Sequence, residues 1–175
     1  MLYEKSREWG RDLWIAFVDF EKAFDSVEHE LLWNALAEQN VEEPYIDLIR
    51  RLYSQQTAFV CTDVESKEFS LLRGVKQGDP LSALLFITVL ESCMRPLKKR
   101  WQTLSKRRVG HEIGIRIDVA DDHLTNLRFA DDIMLAAQNA NDIANEKVLQ
   151  QEALKYGLKI HFGKTKVLCN SDVSE

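Results

Sequence analysis

The alternation of apolar and polar positions divides this chain into short blocks. Residues 13–20 (LWIAFVDF) form a nearly continuous apolar run, rich in aromatic and β-branched side chains, that ends in an acid. Such a run predicts a buried central strand. Across residues 28–39 the period changes: Leu31, Leu32, Ala35 and Leu36 share one face, which predicts a helix with Ser26 as its candidate cap. Pro44 suits the first turn of a second helix carrying Ile46, Ile49, Leu52 and Tyr53. Residues 57–62 and 68–72 read as the strands of a hairpin joined by a polar stretch. Residues 73–80 (RGVKQGDP) hold two glycines and a proline, a loop signature, and Pro80 opens the most apolar helix, running to about Leu97.

In the second half, residues 114–119, 124–129 and 133–137 are strand-like, with Asp131 and Asp132 between the last two. Residues 141–156 are amphipathic and helical, Gly157 offers a left-handed close, and 158–162 resume as a strand. Helices thus interleave with hairpins rather than with single parallel strands. The fold class this predicts is α+β: an antiparallel sheet with helices packed on one face.

Length and composition add bounds. At 175 residues, 45% hydrophobic and 29% charged, the chain is expected to be one soluble globular domain. A net charge of −5 argues mildly against a free-standing nucleic-acid binder. One stretch runs the other way: Lys98, Lys99, Arg100, Lys106, Arg107 and Arg108 enclose Trp101 without an acid among them. It reads either as a track for a nucleic-acid backbone or as a solvated helix end and loop. Cys61, Cys93 and Cys169 are too far apart for a zinc site and odd in number, which fits a reducing compartment. The start is charged rather than apolar, and the longest apolar stretch, 81–90, is too short to span a bilayer. A soluble, intracellular protein with no membrane partner is expected.

Four segments carry the chemistry: 17–27 (FVDFEKAFDSV), 73–82 (RGVKQGDPLS), 127–135 (LRFADDIML) and 157–168 (GLKIHFGKTKVL). In this order and at these separations they resemble motifs A, B, C and D of the reverse-transcriptase palm, in the non-LTR, LINE-like (RTE-type) branch, and the resemblance covers nearly all of residues 1–175. It implies a polymerase palm that adds deoxynucleoside triphosphates to a primer on an RNA or DNA template. Joining a primer 3′-hydroxyl to an α-phosphate suits two Mg²⁺ or Mn²⁺ ions roughly 4 Å apart, held by carboxylates converging from adjacent strands. Asp19 ends one strand and Asp131 stands in a hairpin turn, so the two converge if those strands pair.

By resemblance, Asp19 and Asp131 bridge the metals, Asp132 is the third acid, and the Phe20 carbonyl completes the second metal's shell. Phe24 lies under the incoming sugar, where a flat ring clashes with a 2′-hydroxyl; a core phenylalanine is the competing reading. Gln77 and Gly78 contact a nucleotide or template base. Lys164 stands near the leaving pyrophosphate as a general acid or charge clamp, with Lys166 as its rival in KTK. His161 replaces the usual Asn, and Ala83 the usual Pro. The triplet ADD occurs at 120–122 and at 130–132. The second is chosen because Leu127, Phe129, Ile133 and Leu135 promise buried strands around it, leaving Asp121-Asp122 as an exposed turn.

Other residues read as structural: Asp25 as a turn or capping acid, His29 and His111 as surface or capping residues, and Trp14 and Trp33 as core. Measured against the family, fingers, thumb and endonuclease regions are missing. An isolated palm is therefore expected to fail at primer extension by itself, even with Mg²⁺. The competing reading is a catalytically inactive retroelement relic, at most a nucleic-acid-binding module. Another palm enzyme, such as a cyclase, fits the acids but not QGDPLS.

Overall fold

The computed structural model describes residues 2–107, 114–116, 123–143 and 146–170. Its elements run α1 (Leu2–Glu8), β1 (Trp14–Val18), α2 (Ala23–Ser26), α3 (His29–Glu38), α4 (Glu43–Ser54), β2 (Thr57–Ala58), β3 (Phe69–Ser70) and α5 (Pro80–Arg107). There follow β4 (Ile115–Arg116), β5 (His123–Leu124), β6 (Asn126–Phe129), β7 (Asp132–Ala137), α6 (Ala140–Ile143), α7 (Glu146–Lys155) and β8 (Lys166–Cys169). The architecture is α+β, as the alternation of helices with hairpins predicts.

The main sheet has the order β6-β7-β1-β8 and is antiparallel throughout. β1 occupies an inner place because its side chains find apolar neighbours on both sides. Ala16 and Val18 join Ile133, Leu135 and Ala137 in the larger core, whereas Leu13 and Ile15 join Ala136 in a smaller one across the sheet. The register sets Trp14 opposite Ala137 and Val18 opposite Ile133. On its other edge β1 meets β8, with Phe17 opposite Lys166.

Helix α5 lies between α3 and α7 over the larger core. Its Leu85, Phe86, Val89, Leu90, Met94 and Leu97 are buried against the sheet and the flanking helices. Each such side chain contributes about 1.5–3 kcal/mol of burial. The same residues explain why Pro80–Thr103 is long and apolar enough to cross a membrane by length and composition, which the ten-residue run 81–90 is not. Half of that window is buried.

Among the described residues the opposite sheet face is covered only at one end, where Leu2 and Ile115 pack on Leu13, Ile15 and Ala136. Asn170 pins this end by accepting from the Leu13 amide at 2.7 Å and donating to Ser6 Oγ at 3.0 Å. Toward the other end the face is open: Phe17 is 49%, Leu127 54% and Phe129 84% exposed. That corrects the expectation of buried strands on both sides of the second ADD. Only the odd positions of β7 are core there.

Several elements differ from the pattern read in the sequence. The hairpin of 57–62 and 68–72 shrinks to two residues a strand, because residues 59–72 are all exposed and no core extends the pairing. Helix α5 continues through Pro96 to Arg107, since buried Cys93, Met94, Leu97 and Trp101 hold both sides of the proline on the core. The basic stretch is therefore helical as far as Arg107, and Arg108 lies outside the described residues. Ser26 does not cap α3: it closes the one-turn α2 and donates to the Glu21 carbonyl at 3.2 Å. Residues 158–162 make a single bridge, Phe20 to Ile160, and the edge strand comes later as β8. Trp33 is buried and Trp14 packs partly buried on the core. None of the three cysteines is in a disulfide, and burial pushes the Cys93 thiol up to about 12.

The close of α7 joins the chain's fourth motif to its first. Gly157 takes φ +82°, its amide donates to the Leu154 carbonyl, and the Leu158 amide returns to Ala153. A Cβ on Gly157 would stand 2.3 Å from the Ser26 carbonyl oxygen, and the Glu28 amide donates to the Tyr156 carbonyl at 3.1 Å. Both the dihedral and the space demand glycine. Gly157→Ala is expected to destabilise the fold by about 2 kcal/mol or more, read as a lower urea midpoint at unchanged slope.

Candidate active site

The open face carries the acids. Val18 and Phe20 both enter the larger core, so Asp19 between them projects to the other side, where it is partly exposed. Ile133 enters the same core, so Asp132 also projects to the open face. One register step beyond Val18–Ile133 sets Asp19 opposite Asp132. Phe129 pairs with Asp132, which leaves Ala130 and Asp131 as a two-residue turn at the tip of the β6–β7 hairpin. Ala130 takes φ +52°, a left-handed value costly for any residue but glycine. That strain is stored at the corner that aims Asp131.

Lys164 meets these acids from the turn after residue 161, its Nζ 3.5 Å from Asp19 Oδ2. The turn is tied to the same strand end, because the His161 amide donates to the Asp19 carbonyl at 2.8 Å and the His161 carbonyl accepts from Lys164 and Thr165. Lys166 stands instead on β8, opposite Phe17. Of the two lysines in KTK, Lys164 is the one that touches Asp19.

Asp19, Asp131 and Asp132 offer oxygen donors only, the kind a hard divalent cation takes. Among the described residues, no three His, Cys, Asp or Glu side chains are gathered at metal-binding distance, and Asp19 is paired with Lys164. The residues match such an ion in chemical type, with Asp19 and Asp132 at neighbouring strand ends and Asp131 in the turn beside them. Asp121 and Asp122 lie outside the described residues, and so does His111.

Around this acidic end, residues 20–29 and 73–78 are laid together. The Phe24 ring is half-buried and stacks on Phe86, centroids 4.8 Å apart and planes 14° from parallel. The Phe24 carbonyl accepts from the Val75 amide at 2.7 Å, and the Val27 carbonyl from the Gly74 amide at 2.8 Å. Gly74, at φ +90°, leaves room only for a hydrogen: a Cβ would stand 2.9 Å from the Asp25 carbonyl oxygen. Gln77 and Gly78 follow on the exposed part of the loop. With residues 56–57 and 70–72 the two segments line an open cleft of about 1080 Å³ that includes Asp25, Glu28, Arg73, Lys76 and Gln77. Asp79 then caps α5, its Oδ1 accepting from the Leu81 amide at 2.9 Å, so the helix begins soundly with Ala83 in place of proline.

Residues 3–174 match the family described as reverse transcriptase (RNA-dependent DNA polymerase). The chain belongs to that family. It is 31% identical over 170 residues to the Pol polyprotein of the type-2 retrotransposable element R2DM of Drosophila melanogaster. It is 30% identical over 165 residues to the Pol polyprotein of a type-1 R2 element of Bradysia coprophila. Each match covers 94% of this chain but only 14% and 17% of those relatives. These relatives support a reverse transcriptase of a non-LTR retrotransposon, and the names they carry are those of R2 elements. Among solved structures, a telomerase from Candida tropicalis superposes with a TM-score of 0.67 at 17% identity, over 99% of this chain and 30% of that one. That likeness concerns the fold, which is of the polymerase palm type.

The chain holds its acidic hairpin through residues that the motif reading passes over. Arg128 alternates with Leu127 and Phe129, so it points to the helix side, and its Nη1 lies 2.8 Å from Glu91 Oε2 on α5. Lys98 holds the same carboxylate at 2.9 Å. The strand's period-two pattern was the signal available for Arg128. His29, expected as a surface or capping residue, is half-buried inside the first turn of α3: its Nε2 is 2.8 Å from the Gly74 carbonyl, and its ring meets Tyr53 edge-on. Asp25 caps nothing; its Oδ1 accepts from Gln77 Nε2 at 3.2 Å.

Burial alone would raise Glu91, yet the hydrogen bonds and charges of Lys98 and Arg128 outweigh it and hold the carboxyl below its ordinary value of 4.5. A depressed folded value stabilises the protein above the unfolded value and loses that contribution as pH falls through the folded one. The stability gap between the native protein and Glu91→Gln is therefore expected to be full at neutral pH and to close as the medium is acidified below about 4.5. Urea titrations at a series of pH values measure it.

Proposed function

We propose that this chain is the nucleotidyl-transfer palm of an RNA-directed DNA polymerase, a single domain over 1–175 that adds deoxynucleotides to a primer 3′-hydroxyl. The observation that carries the reading is the β1–β7 register, which sets Asp19 beside the Asp131-Asp132 turn on the open face of the sheet. Asp19 and Asp131 would hold two Mg²⁺ or Mn²⁺ ions, with Asp132 as third acid and the Phe20 carbonyl as a further ligand. Those ions supply charge stabilisation of the attacking and leaving oxygens. Lys164, already beside Asp19, is placed to offset charge on the departing pyrophosphate.

Phe24 and the loop around Gln77 and Gly78 form the nucleotide side of the site. Phe86 backs the Phe24 ring, so the ring is a stiff wall for the sugar to rest on. Gln77 offers an amide to a nucleotide or template base, and Arg73 and Lys76 bring positive charge to the same cleft. The partners are a primed RNA or DNA template and deoxynucleoside triphosphates. The relatives are far longer than this chain, so grip on the duplex and on the triphosphate is assigned to the rest of such a polymerase.

Two experiments test the reading in the complete polypeptide that carries this sequence. Asp131→Asn is expected to cut primer extension on an RNA template by at least about a thousandfold while leaving the thermal midpoint nearly unchanged. Extension undiminished by that change would overturn the role of Asp131, and extension absent from the unaltered polypeptide as well would return the chain to the inactive reading.

Phe24→Val is expected to raise ribonucleotide incorporation relative to deoxynucleotide incorporation by about tenfold or more, because the wall that meets the 2′-hydroxyl is shortened. Unchanged sugar selectivity in a filter of competing nucleotides would make Phe24 only a core residue against Phe86.

A further inference from the structure

We propose that Asp25 is a positioning residue, whose carboxylate fixes the orientation in which the Gln77 amide meets its ligand. This deepens the reading of Gln77 given above and rests on it. Gln77 Nε2 donates to Asp25 Oδ1 at 3.2 Å. The two side chains are exposed, but their backbones are not free to drift apart. The Val75 amide is bound to the Phe24 carbonyl at 2.7 Å and the Gly74 amide to the Val27 carbonyl at 2.8 Å. His29 reaches across to the Gly74 carbonyl at 2.8 Å, and Gly74 lies in contact with the backbone of Asp25 itself. The chain is thus tied on both sides of Asp25 to the residues just before Gln77.

The consequence follows from what each group can do. A carboxylate only accepts, so Asp25 selects the amide orientation with nitrogen toward it and Oε1 turned away. One N–H and Oε1 then remain for the ligand, in a single order of donor and acceptor. The last torsion of glutamine is broad and roughly two-fold, so without Asp25 the order reverses freely. A capping role does not compete: the cap position of α2 is Lys22, Asp25 lies inside that helix, and α2 has no side-chain cap bond. Both residues line one cleft with Glu28, Arg73 and Lys76, so the amide meets its ligand among charges of both signs.

The test is a double-mutant cycle in the complete polypeptide, with steady-state primer extension and thermal midpoint measured for each variant. Gln77→Ala is expected to raise KM for the deoxynucleotide about tenfold with kcat nearly unchanged, as loss of a polar contact does. Asp25→Ala should raise the same KM about threefold to fivefold, and the double variant should stay within about twofold of Gln77→Ala alone. Asp25→Asn, which can donate to Oε1 and so admits both amide orientations, should fall between the native protein and Asp25→Ala. Losses that multiply in the double variant, with a lowered midpoint for Asp25→Ala, would assign Asp25 to the fold and overturn its positioning role alone. A Gln77→Ala variant with unaltered KM for nucleotide and for template would overturn the reading of Gln77 and the role of Asp25 with it.

Discussion

The pairing of β1 with β7 sets the position of everything at the acidic end of the sheet. Side chains alternate along a strand, so a slip of β1 by one residue in that register would carry Asp19 into the hydrophobic core and Val18 out of it. Burial of Ala16, Val18, Leu135 and Ala137 against α5 forbids the slip. Two carboxylates are thereby held near each other by apolar contacts on the far side of the sheet. Their mutual repulsion is offset, in this state, by Lys164.

The rest of the site is attached to that pair of strands by backbone rather than by side chains. The His161 amide bonds the Asp19 carbonyl, the Glu21 amide bonds the Lys159 carbonyl, and Gly157 lies against Ser26, so the fourth motif is fastened to the first along its length. The second motif is fastened to the first by the amides of Gly74 and Val75. Backbone bonds tolerate substitution of most side chains, but they require glycine where two chains touch, as at positions 74 and 157. The acidic hairpin is held from behind by Arg128 on Glu91, a half-buried pair that shares its carboxylate with Lys98. An ion pair in such a place adds direction more than stability.

The same construction explains the open face. α1 and the β4 strand cover the sheet at the end of β1 where Leu13 and Ile15 project, and beyond Phe17 nothing among the described residues lies over it. Phe17, Leu127 and Phe129 are left exposed in a row beside Asp19 and Asp132. A folded protein retains such a surface where another molecule is to lie.

The sequence alone determined the sheet's central strand, the core helix after Pro80, the α+β class and the family, because each rests on local periodicity or on residues close together in the chain. It also singled out the four motifs, and the structure brings residues of the first, third and fourth to the acidic end of β1. Burial of distant partners decided the rest. The hairpin strands β2 and β3 are shorter than their sequence promises because no core lies under residues 59–72, and α5 passes through Pro96 because one does. Asp25, His29 and Arg128 read as ordinary turn, surface and strand residues until the loop at 73–78 and the helix α5 come to meet them. A side chain's period along the chain tells which way it points; which atom waits there is fixed only when segments distant in the chain are folded onto one another.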